Sequence, residues 1–220
     1  EGGFVASKTC EQERIMRSFR EWGRGCYCVG KKANLLKNGT CKARFGNWLP
    51  SIPDEIFDHK YVYEEIGYNI KPIEMQASMG LAQLEKLDEV HSRRRTNYKK
   101  LYNIFEEYEE YMILPKPTLK SNPSWFAFPI TIRDSAPFNR SDLTSFLEDN
   151  KIQTRTYFAG NILLQPAYTH LMDPKEVMEK YPVARKVTTD TFFLGTSPVI
   201  MDSQIEYIGQ TIKHFFNKRR

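Results

Sequence analysis

The 220-residue sequence has no apolar run near the roughly 20 residues that a membrane-spanning helix requires, so no membrane partner is expected. It also lacks a secretory leader and an initiator Met, which predicts a cytoplasmic protein whose first residue is not the native start. The net charge is only +5, and no face interleaves Lys and Arg with aromatics. Nucleic-acid binding, including an RNA-binding domain, is therefore not expected.

The sequence has the composition of a globular protein, with 40% hydrophobic and 13% aromatic residues. The first part of the chain predicts a short buried strand at residues 2–7 and a helix at residues 11–21. An irregular stretch rich in Gly, Asn and Lys follows from Gly23 to Pro53. A long loop of this kind inside a compact domain usually carries a function or a metal.

The rest of the chain alternates between helix and strand, which indicates an α/β fold. Helical spacing of apolar residues predicts two helices, or one bent helix, over residues 74–111. Beyond a Pro-rich connector, strands are predicted at residues 125–132, 152–158 and 191–196, and helices at residues 139–150, 175–190 and 202–217. Trp125 and Phe126 are expected in the core. Three parts are expected. Residues 1–73 are the end of a larger domain, residues 74–114 are linking helices, and residues 115–220 are a small C-terminal domain.

Cysteine is sparse, but three of the four cysteines fall in the irregular stretch. Cys26 and Cys28 form a C-x-C pair, and Cys41 follows. A reducing compartment disfavours structural disulfides, whereas clustered thiolates suit zinc or an iron–sulfur cluster. The C-x2-C pairs typical of zinc sites are absent, and ordinary free thiols on a loop remain an open alternative. Cys10 stands apart and is expected to be a small buried hydrophobe.

Several segments resemble the DegT-type sugar aminotransferase superfamily of the fold-type I pyridoxal phosphate enzymes. They are FREWGRGCYC, CKARFG, DHKYVYEEIGYNIKPIEMQASMGLAQLEKLD, PSWFAFPIT and TRTYFAGNILLQPAY. The CYC, CKARFG and FAGN combination resembles the CDP-4-keto-6-deoxyglucose-3-dehydrase branch. The resemblance covers nearly all of residues 1–216, and it implies the C-terminal portion of a fold-type I enzyme.

The resemblance implies pyridoxamine or pyridoxal 5'-phosphate as cofactor and a 2Fe-2S cluster held by Cys26, Cys28 and Cys41. The fourth cluster ligand and the base histidine of the family are both expected upstream of Glu1. No catalytic residue is therefore expected in this chain, and the fragment alone should be inactive. The Cys28 to Cys41 spacing departs from the family pattern by an insertion around residues 31–36.

The implied reaction is C3 deoxygenation of a 4-keto-6-deoxy nucleotide (NDP) sugar, as in deoxysugar and lipopolysaccharide O-antigen biosynthesis. The implied partners are the NDP-sugar, a second copy in a homodimer and an electron-transfer reductase. Two other functions remain open: an NDP-4-keto-sugar aminotransferase and a non-catalytic metal-binding or interaction module.

Five residues are predicted to bind cofactor or substrate. By resemblance, Asn69 of the GYN motif reaches the cofactor phosphate in the neighbouring subunit, as suits an amide donor, although it could also cap the next helix. Lys71 is expected near the substrate diphosphate, and Arg155 could pair with a phosphate. Gly160 and Asn161 are expected to line the sugar pocket, with plain turn formation as the alternative.

Overall fold

A computed structural model describes residues 3–26 and 41–218, and the chain divides into two compact units, residues 1–81 and 82–220. The boundary falls within the stretch predicted as linking helices, and the predicted three-part division stays a prediction. Within the described ranges, every helix is too short or too polar to cross a membrane.

The first unit opens on helix α1, Cys10–Arg20, which confirms the helix predicted at residues 11–21. The Thr9 side chain caps its first turn by accepting from the Gln12 backbone N–H. The strand predicted at residues 2–7 is wrong across residues 3–7, where Phe4 and Val5 are exposed and pair with no strand of the described chain. Cys10 is also exposed rather than buried, because it begins the helix on its outer side.

Beyond the undescribed residues 27–40, strands β1 (Phe45–Gly46) and β2 (Phe57–Asp58) pair antiparallel. Elsewhere in this unit, residues 21–24 approach residues 63–69 closely. Gly23 has a φ of +82°, and a Cβ there would lie 1.7 Å from the Glu65 carbonyl oxygen. Glycine is therefore required at this crossing.

Helix α2, Glu74–Leu84, follows the crossing, and its side chains are exposed, including Met75, Met79 and Leu81. Helix α3, Leu87–Phe105, begins three residues later. The predicted helical stretch at residues 74–111 is thus two helices.

The second unit is built on a four-stranded antiparallel sheet in the order β3–β4–β6–β5. The strands are β3 (Met112–Ile113), β4 (Ala127–Ile132), β5 (Arg155–Thr156) and β6 (Thr191–Gly195). The predictions for β4 and β6 are confirmed. The strand predicted at residues 152–158 contracts to two residues, because Phe158 turns the chain with a φ of +50°.

The remaining helices are α4 (Arg140–Asp149), α5 (Pro174–Lys180), α6 (Pro182–Asp190) and α7 (Asp202–Asn217). Asn139 caps α4 in a capping box with Asp142. The single helix predicted at residues 175–190 breaks into α5 and α6 at Pro182, which cannot continue the preceding hydrogen-bond ladder. Helices α3, α4 and α7 share one core with the sheet; its fully buried large side chains include Leu101, Phe105, Phe128, Ile130, Leu143, Leu147, Phe192, Leu194, Ile212 and Phe215.

Candidate functional site

The loop after β5 is held against α6 at a point where only glycine fits. Gly160 has a φ of +61°, and a Cβ there would lie 2.3 Å from the Thr188 hydroxyl oxygen and 3.0 Å from the Thr188 Cα. The same hydroxyl accepts from the Asn161 backbone N–H at 3.0 Å and donates to the Ala184 carbonyl at 2.7 Å. Thr188 therefore anchors the loop to α6.

Asn161 has a clear structural task in this loop. Its side-chain oxygen accepts from the Leu163 backbone N–H at 3.1 Å and caps the short 3-10 helix Ile162–Leu164. Gln165 donates to the Ala159 carbonyl and closes the turn. The turn-forming alternative accounts for these contacts, and the role of Asn161 in a sugar pocket stays a prediction.

A cavity of about 680 Å³ opens between this loop and the α5–α6 junction. Gly160 is part of its wall, whereas Asn161 does not line it. The wall is mostly apolar; its residues are Tyr157, Phe158, Ala159, Gly160, Lys180, Tyr181, Pro182, Val183, Ala184 and Val187. A small organic ligand fits a space of this size.

A second cavity, of about 470 Å³, contains Arg155 and is named here the Arg155 cavity. It is lined by Phe126, Gln153, Arg155, Thr156, Phe158, Phe193 and Gly195. Phe126 was expected in the core, and that expectation is wrong: the side chain is 62% exposed. It precedes β4 and turns towards Phe193 on the outer face of the sheet, with ring centroids 6.3 Å apart. Trp125 is half-buried and stacks on Tyr98 at 4.3 Å.

In the first unit, Lys71 is anchored by two neighbours that sequence reasoning did not identify. Its ammonium nitrogen lies 3.2 Å from a Glu21 carboxylate oxygen and 3.8 Å from the centroid of the Trp22 ring. The Arg24 guanidinium carbon lies 4.8 Å from the same ring. The cation–π contact and the ion pair thus hold Lys71 in place. An ammonium group has three donors, so Lys71 can donate to more than Glu21.

Asn69 lies on the same strand-like segment, where its backbone bridges to Glu21. Its side chain is exposed and makes no hydrogen bond within the described part of the chain. The Ile73 backbone N–H at the start of α2 is satisfied by Gln76 at 2.9 Å. The helix start therefore takes its cap from Gln76, and the amide of Asn69 is available as a donor.

Of the predicted cluster ligands, Cys26 and Cys41 are among the described residues, and both are half-buried. The Cys41 sulfur lies 3.1 Å from Nε2 of His59, and the His59 ring lies 5.5 Å from Trp48. The sequence did not predict this contact. Cys28 lies outside the described residues. Among those that are described, no group of three or more His, Cys, Asp or Glu side chains could hold a metal, so the iron–sulfur prediction has no structural support.

The residue next to His59 is fixed by charge. Arg44 donates to the Asp58 carboxylate at 2.9 Å, and the Lys60 backbone N–H donates to it at 3.0 Å. Desolvation raises the pKa of Asp58, but the hydrogen bonds from Lys60 and Arg44 outweigh it, and the pKa is lowered overall. Asp58 is thus a charged anchor for the turn that carries His59.

The chain belongs to the DegT/DnrJ/EryC1/StrS aminotransferase family, whose sequence model matches residues 1–213. This confirms the resemblance and the fold-type I pyridoxal phosphate fold class inferred from the sequence.

Among curated relatives, the chain is 39% identical over 216 residues to lipopolysaccharide biosynthesis protein RfbH of Salmonella typhimurium, covering 98% of this chain and 48% of that protein. It is 37% identical over 218 residues to dTDP-4-dehydro-2,6-dideoxy-D-glucose 3-dehydratase of Saccharopolyspora spinosa, covering 99% and 45%. GDP-perosamine synthase of Vibrio cholerae is 27% identical over 163 residues, covering 72% and 41%. The chain therefore spans about half the length of these relatives.

Solved structures agree on the fold. GDP-4-keto-6-deoxy-D-mannose-3-dehydratase of E. coli, with bound hydrated PLP, aligns with a TM-score of 0.65 at 21% identity, over 90% of this chain and 46% of that chain. An aminotransferase from Psychrobacter cryohalolentis aligns with a TM-score of 0.67 at 16% identity, over 93% and 49%. At these identities the likeness establishes the fold alone.

Proposed function

We propose that this chain forms part of a pyridoxal or pyridoxamine phosphate-dependent NDP-sugar 3-dehydratase. The observation that carries the proposal is the 37% identity to the Saccharopolyspora spinosa 3-dehydratase, which extends over 99% of the chain. The match to the GDP-perosamine synthase is weaker and covers 72% of the chain. The longer and stronger match supports the dehydratase reading of this chain.

The proposed substrate is a 4-keto-6-deoxy NDP-hexose, whose C3 hydroxyl leaves with a proton as water. The bound cofactor would act as an electron sink when a proton is removed, and it would then return the electron pair that expels the C3 oxygen. Asn69 would donate its amide N–H to the cofactor phosphate, and Lys71 would place positive charge near the substrate diphosphate. Arg155 and Gly160 are further proposed substrate-binding residues.

The described residues fit a phosphate-bearing cofactor in one respect, because the Asn69 amide is exposed and its backbone is fixed by Glu21. Among the described residues no group of three or more His, Cys, Asp or Glu side chains could hold a metal, and no step is assigned to an iron–sulfur cluster. The homodimer and the reductase partner are further parts of the proposal. Iron and sulfide content of the purified protein would decide whether a cluster is present.

The test uses protein that contains this chain together with the rest of the enzyme. Asn69→Ala should weaken cofactor affinity by about ten- to a hundredfold, because a hydrogen bond to a charged group contributes about 1.5–3 kcal/mol. Asn103→Ala is the matched control, since Asn103 is exposed on α3. Cofactor titration followed by absorbance measures the effect. Equal cofactor affinity in the two variants would remove Asn69 from the proposed site.

A sugar aminotransferase is the second candidate, favoured by the match to GDP-perosamine synthase. It would replace the C4 oxygen of the same substrate class with an amine and leave the C3 hydroxyl in place. The 220-residue chain on its own is proposed to be inactive. Turnover by the purified chain alone would contradict that part of the proposal.

A further inference from the structure

The end of helix α1 places a tryptophan where glycine is the usual residue. Trp22 has a φ of +62°, in the left-handed region that a bulky side chain rarely adopts. The Gly23 backbone N–H donates to the Ser18 carbonyl at 2.7 Å, which closes the helix in the manner of a Schellman motif. In that motif the residue with the left-handed backbone, here Trp22, is most often glycine. Tryptophan is therefore unfavourable for the backbone at this position.

The backbone on both sides of Trp22 is fixed by the neighbouring segment. The Trp22 backbone N–H donates to the Tyr68 carbonyl at 2.9 Å. The Gly23 carbonyl accepts from the Glu65 backbone N–H at 3.1 Å. A strained conformation persists only where the surrounding structure imposes it, and such residues cluster at functional sites. The crossing of the two segments imposes a conformation on Trp22 that its side chain disfavours, which points to a task for that side chain.

The Trp22 ring is only partly buried, and it contacts two cations. Trp22 is 39% exposed, so full burial in a core does not account for it. The Lys71 ammonium nitrogen lies 3.8 Å from the ring centroid, and the Arg24 guanidinium carbon lies 4.8 Å from it. Arg24 also lies 5.5 Å from the ring of Tyr61 and 6.0 Å from that of Tyr63. Because ring faces attract cations, Arg24 braces the Trp22 ring and the ring in turn attracts Lys71.

Glu21 holds the same ammonium group, but an anionic ligand would compete with it. Its Oε2 lies 3.2 Å from the Lys71 nitrogen, and its Oε1 lies 3.4 Å from the Arg20 guanidinium. A phosphate oxygen and the Glu21 carboxylate accept from the same N–H donors of Lys71. The Trp22 ring attracts the charge through its face and does not require a particular N–H. The contact with Trp22 can therefore persist while Lys71 donates to a ligand.

We propose that Trp22 is a positioning residue for Lys71. Its left-handed backbone holds the ring against the ammonium group, and the ring keeps that group in place when Lys71 donates to the substrate. The inference rests on the proposed function for the role of Lys71. Trp22 itself needs no contact with the substrate, so loss of the ring should weaken substrate binding only through Lys71.

Two substitutions of Trp22 separate positioning from folding. Trp22→Gly and Trp22→Ala both remove the ring, but only glycine adopts the left-handed conformation without steric cost. Trp22→Gly should therefore melt at a higher temperature than Trp22→Ala, because the strain is relieved in one variant only. If the ring positions Lys71, the two variants should nevertheless show the same rise in KM for the substrate.

The experiment is steady-state kinetics of the enzyme that contains this chain, with a 4-keto-6-deoxy NDP-hexose and excess pyridoxamine phosphate. Trp22→Gly and Trp22→Ala should each raise KM about fivefold with little change in kcat, the size expected for a partly exposed cation–π contact. Lys71→Gln should raise KM about tenfold. Adding Trp22→Gly to Lys71→Gln should cause no further rise, because the ring acts only through the lysine. Lys8→Gln, at an exposed position ahead of α1, is the charge-matched control and should leave KM unchanged.

Three results would overturn the inference: an unchanged KM in Trp22→Gly or in Lys71→Gln, effects of the two substitutions that multiply in the double variant, or a rise in KM that follows the loss of melting temperature. Trp22→Gly keeps the test decisive if Trp22→Ala unfolds. The product identifies the reaction separately. Loss of the C3 hydroxyl together with multiplying effects would reject the role of Trp22 and leave the proposed function. Coupled effects with a product that keeps the C3 hydroxyl would do the reverse.

Discussion

Substituting Gly160 tests the contact that fixes the loop after β5. Gly160→Ala introduces a Cβ 2.3 Å from the Thr188 hydroxyl oxygen and 3.0 Å from its Cα, at a residue whose φ is +61°. The left-handed conformation costs a non-glycine residue about 1–2 kcal/mol, and overpacking costs about 1–3 kcal/mol. Together they should lower the free energy of unfolding by about 3 kcal/mol. For a chain of this size, that corresponds to a fall in melting temperature of about 10 °C.

The assay is thermal unfolding followed by far-ultraviolet circular dichroism. Gly195→Ala makes the same chemical change where a Cβ meets nothing within 4 Å, so it should change stability by no more than about 0.5 kcal/mol. Hydrogen exchange at the Asn161 amide should also accelerate in Gly160→Ala, because that amide donates to the Thr188 hydroxyl. Equal melting temperatures for the two alanine variants would refute the close contact between loop and α6.

Two further predictions concern stability in the second unit. Asn97→Ala should lower the free energy of unfolding, measured by urea titration, by about 2 kcal/mol, because the fully buried Asn97 donates to the Ser197 carbonyl at 2.8 Å. Asn103→Ala, at an exposed position, is the control. Equal losses of stability in the two variants would contradict the prediction. Hydrogen bonds from the Thr154 backbone N–H and hydroxyl lower the pKa of Glu148 in the folded protein. The Glu148 carboxylate therefore stabilises the folded protein above its unfolded pKa, and this stabilisation is lost as pH falls through its folded pKa. The stability difference between wild type and Glu148→Gln should therefore shrink on acidification from pH 7 to about pH 3; a constant difference in urea titrations would contradict it.

Elements with a strong apolar period were predictable from sequence. Helices α1 and α7 and strands β4 and β6 follow their predicted ranges within a few residues. The strand at residues 2–7 failed because a short apolar run forms a strand only where a neighbour pairs with it. The break at Pro182 was visible in the sequence, since proline rarely lies inside a helix.

The candidate site was predictable only in outline. The family segments identified Lys71 and Cys41, but their partners Glu21 and His59 are 50 and 18 residues away in sequence. No local pattern connects residues so far apart. Phe126 was misplaced because its exposure depends on what covers the outer face of the sheet, which hydropathy does not record.

The most direct test of the central claim is the product that protein containing this chain makes from a 4-keto-6-deoxy NDP-hexose with pyridoxamine phosphate. The proposed 3-dehydratase predicts that the sugar loses its C3 hydroxyl, seen as loss of the oxygen-bearing C3 signal by carbon NMR and of that oxygen by mass spectrometry. A product that keeps the C3 hydroxyl and carries an amine at C4 would contradict the account and establish an aminotransferase.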